Sequence, residues 1–192
     1  MDNVLVIVPT EREAAYMADS GGDVHICGVG MAECAAVVAA LLARHKPDLA
    51  LLAGIAGTCS DHFAIGDTVA VETETIADLG RRNPDGTFTP LFQKTYPATH
   101  IPEGFPIAQS HTVNCAGRNT GGGPTGTSSG TDSCEVVVEN MEGAAFFAVC
   151  ERFGVPAAEI RTISNRVGEP VTRENLDLAA CSLAAALKKL LL

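Results

Sequence analysis

Two carboxylates and one carboxamide stand where short apolar runs give way to polar residues. They are Glu13 in Thr10-Glu11-Arg12-Glu13, Glu142 in Asn140-Met141-Glu142, and Asn165 after Arg161-Thr162-Ile163-Ser164. A carboxylate can take a proton from water or hold hydroxyl groups by accepting their hydrogen bonds. A carboxamide donates and accepts side by side, so it matches a flat ring edge that presents an acceptor beside a donor. Each position also has a local explanation. Thr10 and Glu13 have the spacing of a capping box, in which Glu13 would return to the Thr10 backbone N–H. Asn140 is a favoured N-cap, and an acid such as Glu142 suits the first turn of a helix. Asn165 could close a strand through its turn preference alone. Residue type leaves both readings open at all three places.

The elements that must position these groups can be read from periodicity. Residues 4–8, Val-Leu-Val-Ile-Val, form a continuous apolar run rich in β-branched side chains, the pattern of a strand covered on both faces. Pro9 ends it, and Thr10 starts a helix to about residue 18, broken by Ser20-Gly21-Gly22. Further strands are expected over 24–29, 49–53, 67–75, 136–138 and 160–164. Helices are expected over 32–45, opened by Gly30 and stopped by Lys46-Pro47, over 141–153, stopped by Gly154-Val155-Pro156, and over 173–192. Strands leading into helices predict an α/β layered sheet.

In such sheets ligands sit beyond the carboxyl ends of strands. That rule selects 10–13, 54–57, 140–142 and 165–169. Glycines in Gly54-Ile55-Ala56-Gly57 let backbone approach a ligand closely. Met141, at its strand-to-helix turn, can pack on a ligand or in the core. Gly28-Val29-Gly30 lacks the third glycine and the following acid of a dinucleotide fingerprint. The proline-containing stretch 81–110 reads as mostly loop. Residues 117–133, nearly without apolar side chains, read as a mobile Gly/Ser-rich loop. No linker separates two cores, so a single domain over 1–192 is expected.

Composition narrows the function class. Hydrophobic residues make up 46% and charged residues 19%, a globular balance. The net charge of −10 disfavours nucleic acid as a partner. The seven cysteines have no CxxC spacing and several lie in apolar runs, so buried free thiols in a reducing compartment are expected. The scattered histidines give no zinc pattern. No apolar stretch approaches the ~20 residues of a membrane helix, and 4–8 is too short for a signal-peptide core. No membrane partner and a cytoplasmic location are therefore expected.

Taken in order, several segments resemble the nucleoside phosphorylase/nucleosidase family that includes methylthioadenosine/adenosylhomocysteine nucleosidase. They are residues 4–13, Gly28-Val29-Gly30-Met31-Ala32, Lys46-Pro47-Asp48, 54–57, Ile65-Gly66-Asp67-Thr68-Val69, Met141-Glu142-Gly143-Ala144-Ala145 and Arg161-Thr162-Ile163-Ser164-Asn165. The resemblance implies a three-layer α/β/α sandwich with a central mixed sheet, a homodimer or higher homo-oligomer, a small-molecule nucleoside substrate, and no metal or organic cofactor. It implies that Glu13 activates the attacking water, that Met141 and Glu142 pack on the ribose and bind its hydroxyls, and that Asn165 handles the imidazole side of a purine. It places Ile55, Gly57, Val113 and Asn114 among the substrate-binding residues.

Two positions refine the implied chemistry. Related bacterial phosphorylases place an Arg and a Ser around the glycine turn; Leu52 and Ile55 stand at the matching positions. Neither holds an anion, which favours water over phosphate as the acceptor. The adenine-specific nucleosidases carry an acid at Asn165. An amide there donates to an oxygen and accepts from a protonated ring nitrogen, as a 6-oxopurine such as hypoxanthine requires. Residues 163–169, Arg173-Glu174-Asn175, Ala77-Asp78-Leu79-Gly80 and Thr112-Val113-Asn114 are most similar to the futalosine hydrolases of this family, which release hypoxanthine on the futalosine route to menaquinone. The alternatives are an adenine-releasing nucleosidase and a nucleoside-binding protein without catalysis. Residues 115–133, near where the family supplies its purine stack, lack an aromatic, leaving Phe88, Phe92 or Phe105 as substitutes. Arg81, Arg82 and Arg118 are candidates to meet a substrate carboxylate.

Overall fold

The computed structural model describes residues 3–17, 23–91, 94–116 and 137–191. In chain order the elements are β1 (Val4–Val8), α1 (Glu11–Tyr16), β2 (Val24–Ile26), α2 (Met31–His45), β3 (Leu49–Thr58), β4 (Thr68–Ile76), β5 (Gly80–Arg82), β6 (Phe88–Pro90), β7 (Thr95–Pro97), β8 (Ile107–Thr112), β9 (Val137–Asn140), α3 (Gly143–Phe153), β10 (Ala157–Arg166) and α4 (Arg173–Leu191).

Side-chain alternation sorts the strands between two cores. In β1, Leu5 and Ile7 join Val38 and Leu42 of α2 and Phe146 and Phe147 of α3 on one face. Val6 and Val8 join Leu183 and Leu187 of α4 on the other, with Met17 at the end of α1. Strand β3 divides in the same way, Ala50 and Leu52 against Leu49 and Leu51. A period of two in a strand covered on both faces demands this division. The result is the expected three-layer α/β/α sandwich around a mixed sheet.

The sheet runs β10-β4-β8-β9-β3-β1-β2, with β7 added against β4. Pairing is parallel for β1–β2, β1–β3, β3–β10, β4–β8 and β8–β9, and antiparallel for β4–β10, β3–β9 and β4–β7. Because β10 pairs with both β3 and β4, strands β3, β10, β4, β8 and β9 close on one another, and β1 and β2 extend outward from β3.

Two register slips aim side chains at the site. Ile163 faces Ala56, yet Asn165 faces Gly57, so Ser164 is the extra residue of a bulge in β10. Between β4 and β8 the register slips from Val71 to Thr73, leaving Glu72 exposed and turning Glu74 inward.

Several sequence expectations shift. The stretch 81–110 holds β5, part of a small hairpin with β6, then β7 and most of β8 rather than mostly loop. Strand β8 escapes an apolar-periodicity reading because its inward positions are Ala108, Ser110 and Thr112, two of them polar. Strands β3 and β10 outrun 49–53 and 160–164. The 54–57 glycines are strand residues, retained where side chains of β10 cross them. Strand β2 stops at Ile26 because the chain turns through positive φ at Gly28 and Gly30. Helix α3 begins at Gly143, two residues after the predicted start. Cys27, Cys34 and Cys150 are buried, but Cys59, Cys115 and Cys181 are exposed, so burial does not account for all the thiols. Residues 117–133, Phe92, Arg118 and Cys134 lie outside the described residues. Among the described residues no helix is long and apolar enough to cross a membrane, and no group of His, Cys, Asp and Glu could hold a metal ion.

Candidate active site

A cleft of about 410 Å³ lies where β1 and β9 end, along the distal halves of β3 and β10. Its lining includes Glu13, Ile55, Gly57, Val113, Met141, Glu142 and Asn165, seven of the eight positions singled out from the sequence. Asn114 is the exception. Its backbone N–H and side-chain amide donate to Asp78 at 2.7 and 2.9 Å, outside the lining.

Glu13 reaches the cleft from α1 and is 2% exposed. Thr10 caps the helix, accepting from the Glu13 backbone N–H at 3.3 Å. The carboxylate instead crosses to β3, where the Ile55 N–H donates to Oε1 at 3.1 Å. The Thr10 hydroxyl donates to Oε2 at 2.5 Å. One threonine thus both caps the helix and orients the acid. Burial raises the Glu13 pKa, outweighing the lowering effects of Thr10, the Ile55 N–H and Arg161. A carboxylate so disposed is a stronger base than a solvated one.

Glu142 stands opposite, immediately before α3, and is 4% exposed. Its Oε1 accepts from the Gly30 N–H at 3.0 Å and its Oε2 from Arg161 Nη1 at 3.2 Å. The N-cap of α3 is Glu142 rather than Asn140, because the helix starts at Gly143. Asn140, the last residue of β9, instead holds the turn, its Oδ1 accepting from the backbone N–H groups of Glu142 and Gly143, both at 2.8 Å. Each Glu142 oxygen keeps lone-pair capacity for a ligand hydroxyl.

Asn165 is oriented by its neighbours. Its Nδ2 donates to the Arg166 carbonyl at 2.8 Å and its Oδ1 accepts from the Ser164 hydroxyl at 2.8 Å. The Arg166 carbonyl can only accept, so the amide orientation is fixed. One N–H and one lone pair remain. A Cβ at Gly57 would stand in ordinary contact with Asn165 Nδ2, at 3.4 Å, and more tightly against Val167 Cγ2, at 3.1 Å.

Arg161 was quoted in the sequence without a role, and it is the hub of the site floor. It is fully buried in β10 and bonds Glu159 at 2.6 Å, Asn140 Oδ1 at 3.1 Å, Glu142 at 3.2 Å and the Ile55 carbonyl at 3.2 Å. A Cβ at Gly54 would lie 2.4 Å from its Nη1, so only glycine lets the guanidinium pass. Burial by itself would lower the Arg161 pKa; Glu159, Glu142 and Glu74 reverse the effect and raise it. One signal was available in the sequence: Glu159 and Arg161, two residues apart in a strand, must share a face, and a charged pair inside an apolar strand is unusual.

The remaining described lining includes the aliphatic Val29, Val171, Leu176 and Ala180, which join Met141 and Val113, and the acid Glu139. Phe105 packs in the α4 core under Lys189, and Phe88 lies over Gly80 in the small hairpin; neither lines the cleft. Arg81 and Arg82 are exposed in that hairpin, bonded to Asn83 and the Gly86 carbonyl. Arg12 also lines the cleft, paired with Asp177 at 3.1 Å.

Residues 12–192 match the family model described as the phosphorylase superfamily. The chain belongs to the phosphorylase superfamily. Among curated members, it is 31% identical to a futalosine hydrolase of Thermus thermophilus, across 97% of this chain and 94% of that one. It is 32% identical to a futalosine hydrolase of Streptomyces coelicolor, across 77% and 68%. Among solved structures, the Helicobacter pylori 5'-methylthioadenosine/S-adenosylhomocysteine nucleosidase bound to butyl-thio-DADMe-Immucillin-A superposes with a TM-score of 0.79 at 16% identity, covering 100% of this chain and 98% of that chain. The futalosine hydrolase of the same organism gives 0.78 at 16% identity, covering 98% and 96%. These structures establish the phosphorylase-superfamily fold for this chain.

Proposed function

We propose that this chain hydrolyses the N-glycosidic bond of futalosine, releasing hypoxanthine and dehypoxanthine futalosine on a route to menaquinone. The observation behind this reading is the convergence of Glu13, Glu142 and Asn165 on one cleft, in a chain whose curated relatives are futalosine hydrolases.

The assigned steps follow from the contacts. Glu142 accepts the ribose hydroxyls and fixes the sugar. As the glycosidic bond lengthens toward an oxocarbenium-like state, Glu13, made more basic by burial, takes the proton of the attacking water. The ring nitrogen of the base takes a proton from solvent as the bond breaks; the free N–H of Asn165 meets the oxo group, and its free lone pair accepts from the N–H so formed. Met141 packs on the sugar.

Water is favoured over phosphate by what surrounds Ile55. Its side chain is aliphatic and its N–H is committed to Glu13. Leu52 is buried in the core, and Arg161 is engaged on every side by Glu159, Glu142, Asn140 and a carbonyl.

The test is incubation with futalosine, with and without phosphate, following the freed base by chromatography. Hypoxanthine should appear at equal rates in both. A requirement for phosphate, or faster release of adenine from methylthioadenosine or aminodeoxyfutalosine, would overturn the reading. Tight nucleoside binding without base release would make the chain a binding protein.

A further inference from the structure

Beneath the cleft lie two carboxyls that the reaction does not use. Glu74 of β4 and Glu159 of β10 are each 0% exposed. They converge under the start of α3: a Cβ on Gly143 would lie 2.1 Å from Glu74 Oε1 and 2.8 Å from Glu159 Oε1. Gly143 is therefore the residue that makes room for both acids.

Their polar surroundings are fully specified. Glu74 accepts from Thr112 Oγ1 at 2.7 Å and from Asn140 Nδ2. Thr112 in turn accepts from the Ala144 N–H at 2.8 Å, and Asn140 donates to the Ser110 hydroxyl at 2.8 Å. Glu159 Oε1 accepts from Arg161, while its Oε2 has no conventional donor. From β10, Arg161 and Glu159 face Glu74; from the start of α3, Glu142 faces Glu159; from β8 and β9 the neutral Ser110, Thr112 and Asn140 form the hydrogen-bonded surround.

One guanidinium thus confronts three carboxyls, Glu74 and Glu159 with no solvent exposure and Glu142 at the cleft wall. Two uncompensated charges there would be strongly disfavoured, whereas a proton held between two of the acids removes one and supplies a donor for the unpartnered Glu159 oxygen.

We propose that Glu74 and Glu159 share one proton and act together as positioning residues, holding Asn140 and Arg161 against Glu142 and thereby setting the geometry of its grip on the ligand hydroxyls. Between them the pair carries one proton and one negative charge; Glu74 keeps Asn140 in place and Glu159 aims Arg161. Burial raises the pKa of both acids, Glu74 further through the Glu159 charge and Glu159 further through the Glu142 charge, which agrees with a proton retained by the pair at pH 7. The consequence for Glu142 rests on the nucleosidase reading above; the shared proton does not.

Infrared pH titration of the intact protein tests the proton directly. A carbonyl stretch of a protonated carboxyl should persist at pH 7, fade as pH rises through about 8, and vanish in Glu74→Gln. In kinetics, Glu74→Gln keeps a neutral donor and should hold the wild-type KM at pH 7 while removing the alkaline loss of kcat/KM. Glu74→Ala leaves Asn140 and Thr112 unpaired and should raise KM about 10-fold with a smaller change in kcat. Absence of a protonated-carboxyl band at pH 7, or a band unchanged in Glu74→Gln, would overturn the proposal even if Glu74→Ala fails to fold. A wild-type chain inert toward nucleosides but showing the band would sink the functional reading and leave the shared proton standing.

Discussion

Glu13 and Glu142 are the same residue type on opposite walls of one cleft, both nearly sealed from water, yet their partners differ in kind. Glu13 is met by a hydroxyl and a backbone N–H, both neutral. Glu142 is met by a backbone N–H and a guanidinium. Neutral partners leave burial as the dominant influence and give a base; a cationic partner gives a fixed anchor. In the proposed mechanism, the division of labour between the two acids is set by their neighbours, Thr10 on one side and Arg161 on the other.

That contrast can be broken by substitution. Glu13→Gln keeps the shape of the acid and loses the base, so turnover should fall by roughly 10²–10⁴-fold with nucleoside binding retained, measured by single-turnover kinetics and calorimetric titration. Unchanged turnover would remove Glu13 from its role. Arg161→Leu strands Glu142 and Glu159 without their cation and should destabilise the fold by about 3–5 kcal/mol in denaturant titration. A near-neutral result would show that the floor does not depend on the ion pairs.

Smaller changes sharpen the comparison. Asn165→Asp removes the donor facing the oxo group and should shift base preference away from hypoxanthine by about 1–3 kcal/mol in relative kcat/KM, compared between matched 6-oxo and 6-amino nucleosides. Thr10→Val should cost about 1 kcal/mol through the lost cap. It also removes an interaction that lowers the Glu13 pKa, so that pKa should climb further. Because the base works deprotonated, activity rises with pH through this pKa, and the acid limb of kcat/KM should move to higher pH in the variant. A limb that moves to lower pH would contradict the assignment.

Much of this cleft was legible in the sequence because its polar lining residues sit at the ends of apolar runs. Glu13, Met141, Glu142 and Asn165 each follow such a run, and sheet geometry brings run ends together. The floor was not legible. Glu74 faces inward only because of the slip at Glu72, which strand alternation cannot foresee. Ser110 and Thr112 hid β8 by being polar at inward positions, and they are polar because they belong to the hydrogen-bonded floor. Gly54 and Gly57 read as a turn signal; in the structure both are strand residues, and Gly54 is the gap through which Arg161 passes. Local patterns report on the backbone, whereas these features exist only between segments far apart in the chain.

The closure of β3, β10, β4, β8 and β9 on one another has a further consequence. A strand at a sheet's margin can peel away alone, but a member of a closed circuit must break ladders on both sides at once. Deuterium should therefore enter β2 and the β5–β6 hairpin long before it reaches β3 or β10. The backbone beneath the cleft should stay protected until the whole molecule comes apart.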